Sequence, residues 1–173
     1  MIPNTSKILS DEEIETFLEI YYSSPMLPEK ERQNLKNCFN ALFRPLDHDF
    51  LKKLCPRGCD PLQSYFVEYT QGAFCTPHID INNNLKTKEN LGVYTTTTYL
   101  SAPDEYEGGE SVLYSKDMKS EKCFKPNKGE TLLINPLQNH SVKMVTKGSR
   151  IVHIGWYLSQ TEKYLVEDGV ILV

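Results

Sequence analysis

A series of short β-forming stretches constrains this chain more than any other feature. It starts at Leu62 and recurs about every ten residues. The stretches are LQSYFVEYT (62–70), GVYTTTTYL (92–100), ESVLYS (110–115), CFKP (123–126), ETLLINP (130–136), HSVKMV (140–145) and RIVHIGWYL (150–158). Each is rich in β-branched and aromatic residues, which suit a pleated, half-buried surface. Turn-forming groups separate them: Pro103-Asp104, Gly108-Gly109, Asn127-Lys128-Gly129 and Lys147-Gly148. Short strands at that spacing predict an antiparallel sandwich or barrel. Helical stretches do not alternate with the strands, which argues against a doubly wound parallel sheet.

Upstream the periodicity changes. Ser10-Asp11-Glu12-Glu13 has the form of a capping box, and Ile14, Phe17, Leu18 and Tyr21 follow at helical spacing. Together they predict a helix over residues 11–22. Pro28 opens a second expected helix, with Leu35, Cys38, Phe39 and Leu42 on one face and Pro45 at its end. A third, over 49–54, is expected to stop at Pro56 and Gly58. The expected fold class is mainly β with N-terminal helices: a double-stranded β-helix, or jelly roll, buttressed by helices. One domain is expected over 1–173, with helical support in 1–58 and the β core in 62–160. A chain of 173 residues leaves little room for a second domain.

Composition narrows the function. The net charge of −4 has the wrong sign for strong phosphate-backbone binding, so a nucleic-acid partner is not expected. The opening MIPNTSKILSDEEIE lacks the apolar core of a signal peptide. No apolar run approaches the roughly 18 residues a membrane span needs. A soluble, cytoplasmic protein is the expectation. Its five cysteines are an odd number without secretory context, which favours reduced thiols. Cys55 and Cys59, in CPRGC, have no further well-spaced ligands nearby for a structural metal. The polar stretch 82–90 and the lysine-rich stretch 116–128 read as exposed loops, the second as a solvated loop or hairpin rather than a docking patch.

The chemistry concentrates in two stretches. Thr76-Pro77-His78-Ile79-Asp80 puts an imidazole and a carboxylate two residues apart, on one face if the segment is extended. A metal needs a third ligand, from among His48, His140 and His153. His48 lies in a polar, exposed-looking segment. A hairpin centred near residue 147 would set His140 opposite Ile154 and Met144 opposite Arg150. His140, Arg150 and Trp156 then share a face, and His153 falls on the other as a packed or surface histidine. Two histidines and a carboxylate leave positions open, which suits non-haem Fe(II). An arginine on the inner face is costly unless paired, and its own strand carries no acidic partner. A dicarboxylate ligand held bidentately would supply one.

These motifs resemble the Fe(II)/2-oxoglutarate-dependent dioxygenases, in the prolyl-4-hydroxylase-like, PKHD-type branch. VEYTQGAFCTPHID is similar to that branch's HxD segment. TTTTYLSAPDEYEGGE is similar to its central strand and Gly-Gly turn, and KGETLLINPLQNHSVKMVTKGSRIVHIGWYLSQ to its C-terminal segment. The resemblance covers residues 62–160. It implies His78, Asp80 and His140 as iron ligands and Arg150 as the residue that binds the distal carboxylate of 2-oxoglutarate. It implies Tyr99 as support for that carboxylate and Tyr69 as a pocket wall; by residue type alone both are ordinary strand aromatics. Trp156 is expected to be wall, and the 82–90 loop lies where such enzymes often carry a substrate-gating loop.

The implied cofactors are Fe(II), 2-oxoglutarate as cosubstrate and O₂, with ascorbate as an accessory. The implied reaction hydroxylates an unactivated C–H bond, foremost on a prolyl residue of a protein or peptide. Two other readings stay open: a hydroxylase of a free amino acid or other small molecule, and a non-catalytic jelly-roll binding module. A damaged nucleobase is disfavoured by the acidic pI. Oligomeric state is not legible.

Overall fold

The structure, a computed structural model, describes residues 5–28, 37–46, 54–80, 93–135 and 138–159. Along the chain run β1 (Thr5–Lys7), α1 (Asp11–Ser23), β2 (Cys38–Pro45), β3 (Cys59–His78), β4 (Val93–Tyr99), β5 (Tyr106–Gly108) and β6 (Ser111–Tyr114). They are followed by β7 (Glu121–Phe124), β8 (Glu130–Ile134), β9 (His140–Val142), β10 (Val145–Gly148) and β11 (Arg150–Ser159). The large sheet has the order β1-β8-β4-β11-β3-β9-β6-β7, with β2 also on β3, and β10 pairs β5 separately. Every pairing is antiparallel.

The long strand β3 carries the chain from one layer to the other. Its first half, Cys59 to Tyr69, registers with β11, and its far end, Cys75 to His78, with β9. Gly72, at φ +84, sits between the two halves, where a residue free to adopt positive φ lets the strand bend. The result is a curled antiparallel sheet, the jelly roll expected from the strand spacing.

Strand parity sorts the side chains into two layers. Phe43, Val67, Tyr99, Leu132, Val145 and Val152 fill the interior of the curl. Phe66, Leu100 and Tyr157 face outward and receive Ile14, Phe17 and Tyr21 of α1. That helix starts as expected: Ser10 Oγ accepts from the Glu13 amide and Glu13 Oε2 accepts from the Ser10 amide at 2.7 Å. Asp11, Glu12 and Glu13 complement the positive end of its dipole. Burying its three apolar anchors contributes roughly 1.5–3 kcal/mol apiece, more than the propensity of so short a helix supplies.

Three expectations are corrected. Residues 38–45 form β2, not the end of a second helix. Their apolar positions satisfied a helical stripe, but burial alternates at Ala41 and Phe43, and β3 offers a partner from Cys75 back to Tyr65. A register shift between Phe39 and Ala41, with Asn40 at φ 56, bulges the strand. Among the described residues of 1–58 the structure has α1, β1 and β2, and Leu54 is helical. Second, Lys147-Gly148 does not close a hairpin between 140–145 and 150–158. The chain leaves β9, pairs as β10 with β5, and crosses back into the large sheet at Ser149. Third, the expected strand over 140–145 breaks into β9 and β10, while β1 and β5, of three residues each, carry no periodicity to read.

The β6–β7 hairpin accounts for the lysine-rich stretch. Lys116, Lys119 and Lys122 are exposed, while Lys125 turns back over the Tyr106 ring, 4.4 Å from its centroid. Gly108 and Gly109, both at positive φ, hold β5 against β10, and a Cβ at Gly108 would lie 2.1 Å from the Met144 carbonyl. The expected helix over 49–54 (apart from Leu54), His48 and the 82–90 loop lie outside the described residues. No helix among the described residues is long and apolar enough to cross a membrane.

Candidate metal centre

His78 is the last residue of β3 and His140 the first of β9, and the two are register partners. Their rings lie 4.3 Å apart between centroids. Asp80, two residues past the end of β3, reaches both: its Oδ1 is 3.4 Å from His78 Nε2 and its Oδ2 is 3.5 Å from His140 Nε2. These three residues are the one His/Cys/Asp/Glu group among the described residues whose donor atoms converge closely enough for a metal ion.

The imidazoles are oriented from behind. His78 Nδ1 donates to the Thr76 carbonyl at 2.7 Å, and His140 Nδ1 to the Gln138 carbonyl at 2.9 Å. A proton on each Nδ1 leaves the Nε2 lone pair facing Asp80, the tautomer a metal ligand needs. Thr95 Oγ1 donates to Asp80 Oδ2 at 2.5 Å. Burial alone would raise the Asp80 carboxyl, but the His78 hydrogen bond, the His140 charge and Thr95 outweigh it and hold the acid at about 2. Burial lowers His140, and the neighbouring His78 adds to that, so its imidazole stays neutral. For His78, burial pulls downward, but the Asp80 and Thr76 hydrogen bonds and the Asp80 charge reverse it to a net rise. This donor set fits a divalent metal with open positions: two imidazole nitrogens and one carboxylate oxygen on one side.

Arg150 opens β11 opposite Tyr69 and points into the curl. It is 1% exposed. Its Nη2 donates to Ser111 Oγ at 3.0 Å, across the interior on β6. Its Cζ stands 4.9 Å from the Tyr69 ring centroid and 5.2 Å from that of Tyr99. Tyr99 Oη shares the Ser111 hydroxyl at 2.5 Å. No carboxylate among the described residues pairs with the guanidinium, and its Nε and Nη1 make no hydrogen bond. An unpaired buried cation is expensive, and an anionic ligand reaching Arg150 would offset that cost.

The two halves of the site connect through β6. Ser111 registers with Val142, and Leu113 with His140. Two residues of strand span about 7 Å, comparable to an extended five-carbon dicarboxylate.

The structure thus brings together His78, Asp80 and His140, and gathers Arg150, Tyr69 and Tyr99. His153 lies on the opposite face of β11, fully buried in edge contact with Phe17 and Phe66, so parity alone separated it correctly although the hairpin register was wrong. Trp156 lines the inner face against Tyr65. Cys55 and Cys59 are free thiols, and the metal-binding group among the described residues does not include them. Reading the sequence missed Ser111, Thr95 and Tyr106, whose hydroxyl is raised by burial and partly pulled back by the Arg150 charge nearby. Thr95 was legible in principle: in TTTTY it shares parity with Tyr99. Ser111 and Tyr106 carried no signal, because their roles depend on which strand faces Arg150.

A family model for the 2OG-Fe(II) oxygenase superfamily matches residues 64–158. A PKHD-type hydroxylase of Picosynechococcus sp. is 40% identical over 135 residues, which are 77% of this chain and 53% of the relative. Another, from Prochlorococcus marinus, is 43% identical over 63 residues, 36% of this chain and 28% of that protein. The chain therefore spans about half, or less, of the length of these curated relatives. Among solved structures, a Pseudomonas putida prolyl-4-hydroxylase has a TM-score of 0.68 at 16% identity, covering 91% of this chain and 92% of its own. A Trichoplax adhaerens prolyl hydroxylase, in complex with a peptide fragment of the hypoxia inducible factor oxygen degradation domain, has a TM-score of 0.69 at 16% identity, covering 92% and 84%. At such identity these structures speak for the fold alone. The family model carries the further step: this chain belongs to the 2OG-Fe(II) oxygenase superfamily, and it is similar over part of their length to PKHD-type hydroxylases.

Proposed function

We propose that the protein is an Fe(II)- and 2-oxoglutarate-dependent dioxygenase that hydroxylates an unactivated C–H bond of a prolyl residue in a protein or peptide. One observation carries the reading: a buried guanidinium with no carboxylate partner among the described residues is held by Ser111, two residues along β6 from Leu113, the register partner of His140 in the convergent His-Asp-His group. His78, Asp80 and His140 would hold the iron, and Arg150 the distal carboxylate of 2-oxoglutarate. Formal charge supports this pairing. The Asp80 carboxylate against a dication, plus the Arg150 cation, leaves two positive charges that a dicarboxylate dianion cancels.

Iron held by His78, Asp80 and His140, with 2-oxoglutarate held at Arg150, would supply the O₂ activation that couples conversion of 2-oxoglutarate to succinate and CO₂ with hydroxylation. The chain's own part is positioning. The Thr76 and Gln138 carbonyls fix both imidazoles, and Thr95 fixes Asp80. Ser111 braces Arg150 from the far side, while the rings of Tyr69 and Tyr99 flank its guanidinium and keep water away. No general base is required of the protein.

The prolyl target rests on the names of two solved structures of like fold, a prolyl-4-hydroxylase and a prolyl hydroxylase that holds a peptide. The test is succinate release with Fe(II) and 2-oxoglutarate against a panel of proline-containing peptides and free proline. Peptide-dependent turnover is the expected result. Turnover on free proline alone would overturn the peptide assignment, and protein that binds neither Fe(II) nor 2-oxoglutarate would overturn the enzyme reading in favour of a binding module.

A further inference from the structure

Two cysteines face each other on the inner wall beside this centre. Cys38 of β2 and Cys75 of β3 are register partners, and their Sγ atoms lie 2.8 Å apart. The pair is of the non-hydrogen-bonded kind: the Thr76 amide donates to the Asn37 carbonyl at 2.8 Å, on the outer side of the two residues. Such pairs bring Cα atoms to about 4.5 Å, inside the roughly 4.4–6.8 Å that a disulfide spans. Closing the bond asks for side-chain rotation, with the strands already in place. The remaining cysteines differ. Cys55 directs its thiol to the Cys59 carbonyl at 3.1 Å, and Cys123 is exposed with a carboxylate beside it.

Exposure within the pair is unequal. Cys75 is buried, while Cys38 is half-exposed. Cys38 Sγ also sits 3.5 Å from Tyr69 Oη, and Cys75 Sγ lies 3.8 Å from His78 Nδ1. The pair therefore borders both halves of the candidate site.

We propose that Cys38 and Cys75 are a redox-modification site that a peroxide converts to a cross-strand disulfide and a thiol reductant restores. The Cys38 thiolate attacks one peroxide oxygen, the O–O bond breaks, and a sulfenic acid and water result. The Cys75 sulfur then attacks the sulfenic sulfur, forms the S–S bond, and expels the hydroxyl as water with the Cys75 proton. Two electrons leave the two sulfurs and reduce the peroxide to two waters. Cys38 is the less buried of the two and so the one a peroxide reaches first, and the Cys75 thiol donating toward it holds Cys38 below the usual thiol value.

The experiment treats the full chain with a small excess of hydrogen peroxide, blocks free thiols by alkylation, and maps peptides by mass spectrometry. A Cys38–Cys75 cross-linked peptide that disappears with dithiothreitol, with Cys55, Cys59 and Cys123 still alkylated, is the expected result. The bridge should form unchanged in Cys123→Ser, and in Cys38→Ser the Cys75 thiol should stay alkylatable. Over-oxidation of Cys38 with Cys75 left free, a bridge in another pairing, or no bridge at all would overturn the proposal. None of these readouts depends on bound iron or on turnover.

Discussion

His78 and His140 are cross-strand partners, with ring centroids 4.3 Å apart and planes inclined by 51°. One β3–β9 pairing therefore places two of the three candidate ligands at once, and each ring is steadied by a backbone carbonyl two residues before it. Asp80 lacks that advantage. It lies past the end of β3, and the Thr95 hydroxyl ties it to β4.

Thr95→Val removes that tie while keeping the shape. Outer hydrogen-bond partners of metal ligands are typically worth 10–100-fold in affinity, so a loss of about tenfold in divalent-metal affinity is expected. Thr98→Val is the comparison. Its hydroxyl meets Thr131 on the opposite face, so it should cost stability and leave metal affinity alone. Titration of both variants with Co(II), followed by its visible absorption, decides between them. Equal affinities for Thr95→Val and the parent would contradict the role given to Thr95.

Arg150→Met separates the cosubstrate from the metal. The buried guanidinium has no anionic partner among the described residues, so a neutral side chain of similar length should leave the ligand-free protein at least as stable. Thermal stabilisation by 2-oxoglutarate should vanish, while metal affinity is retained. Paired melting curves with and without 2-oxoglutarate test both signs. Loss of metal and cosubstrate binding together in a folded variant would sink the assignment.

Ser111 acts through Arg150. Its hydroxyl bonds both Arg150 Nη2 and Tyr99 Oη, which restrains the cation at the height of the cavity where a carboxylate would arrive. Ser111→Ala should raise the KM for 2-oxoglutarate about tenfold, the worth of one hydrogen bond to a charged group, with kcat little changed. A fall in kcat at unchanged KM would point to a different function for this serine. Ser111→Thr retains the hydroxyl and is expected to recover most of the affinity.

Much of this site was legible from spacing. The HxD pair and the parity of β11 placed His78, Asp80, Arg150 and His153 on their proper sides because side-chain direction in a strand has a period of two whatever the partner strand. The register could not be read that way. His140 meets β3 and β6 rather than β11, since a turn at Lys147-Gly148 looks alike whether it closes a hairpin or crosses between sheets. The stretch 38–45 shows the same limit from another side. Apolar residues at 35, 38, 39 and 42 fit a helix locally, and the long-range pairing with β3 decides against it over 38–45. Ser111, Tyr106 and the thiol pair belong to that class too, because each acquires its neighbours only through tertiary pairing.

His153 gives a prediction for acid stability. It is fully buried between Phe17 and Phe66, and neither ring nitrogen has a hydrogen-bond partner. Burial depresses it to about 3, whereas an unfolded histidine titrates near ~6.5. The folded chain thus stays neutral where the unfolded chain gains a proton. Its contribution to stability is full above the unfolded value and falls by up to ~1.4 kcal/mol per pH unit as the pH drops from ~6.5 toward the folded value. His153→Phe keeps an aromatic ring between the same two neighbours and removes the proton. Urea unfolding followed by Trp156 fluorescence at a series of pH values should show the variant losing less stability than the parent between pH ~6.5 and ~4. Parallel losses in the two proteins would mean that the buried imidazole does not govern the acid limb.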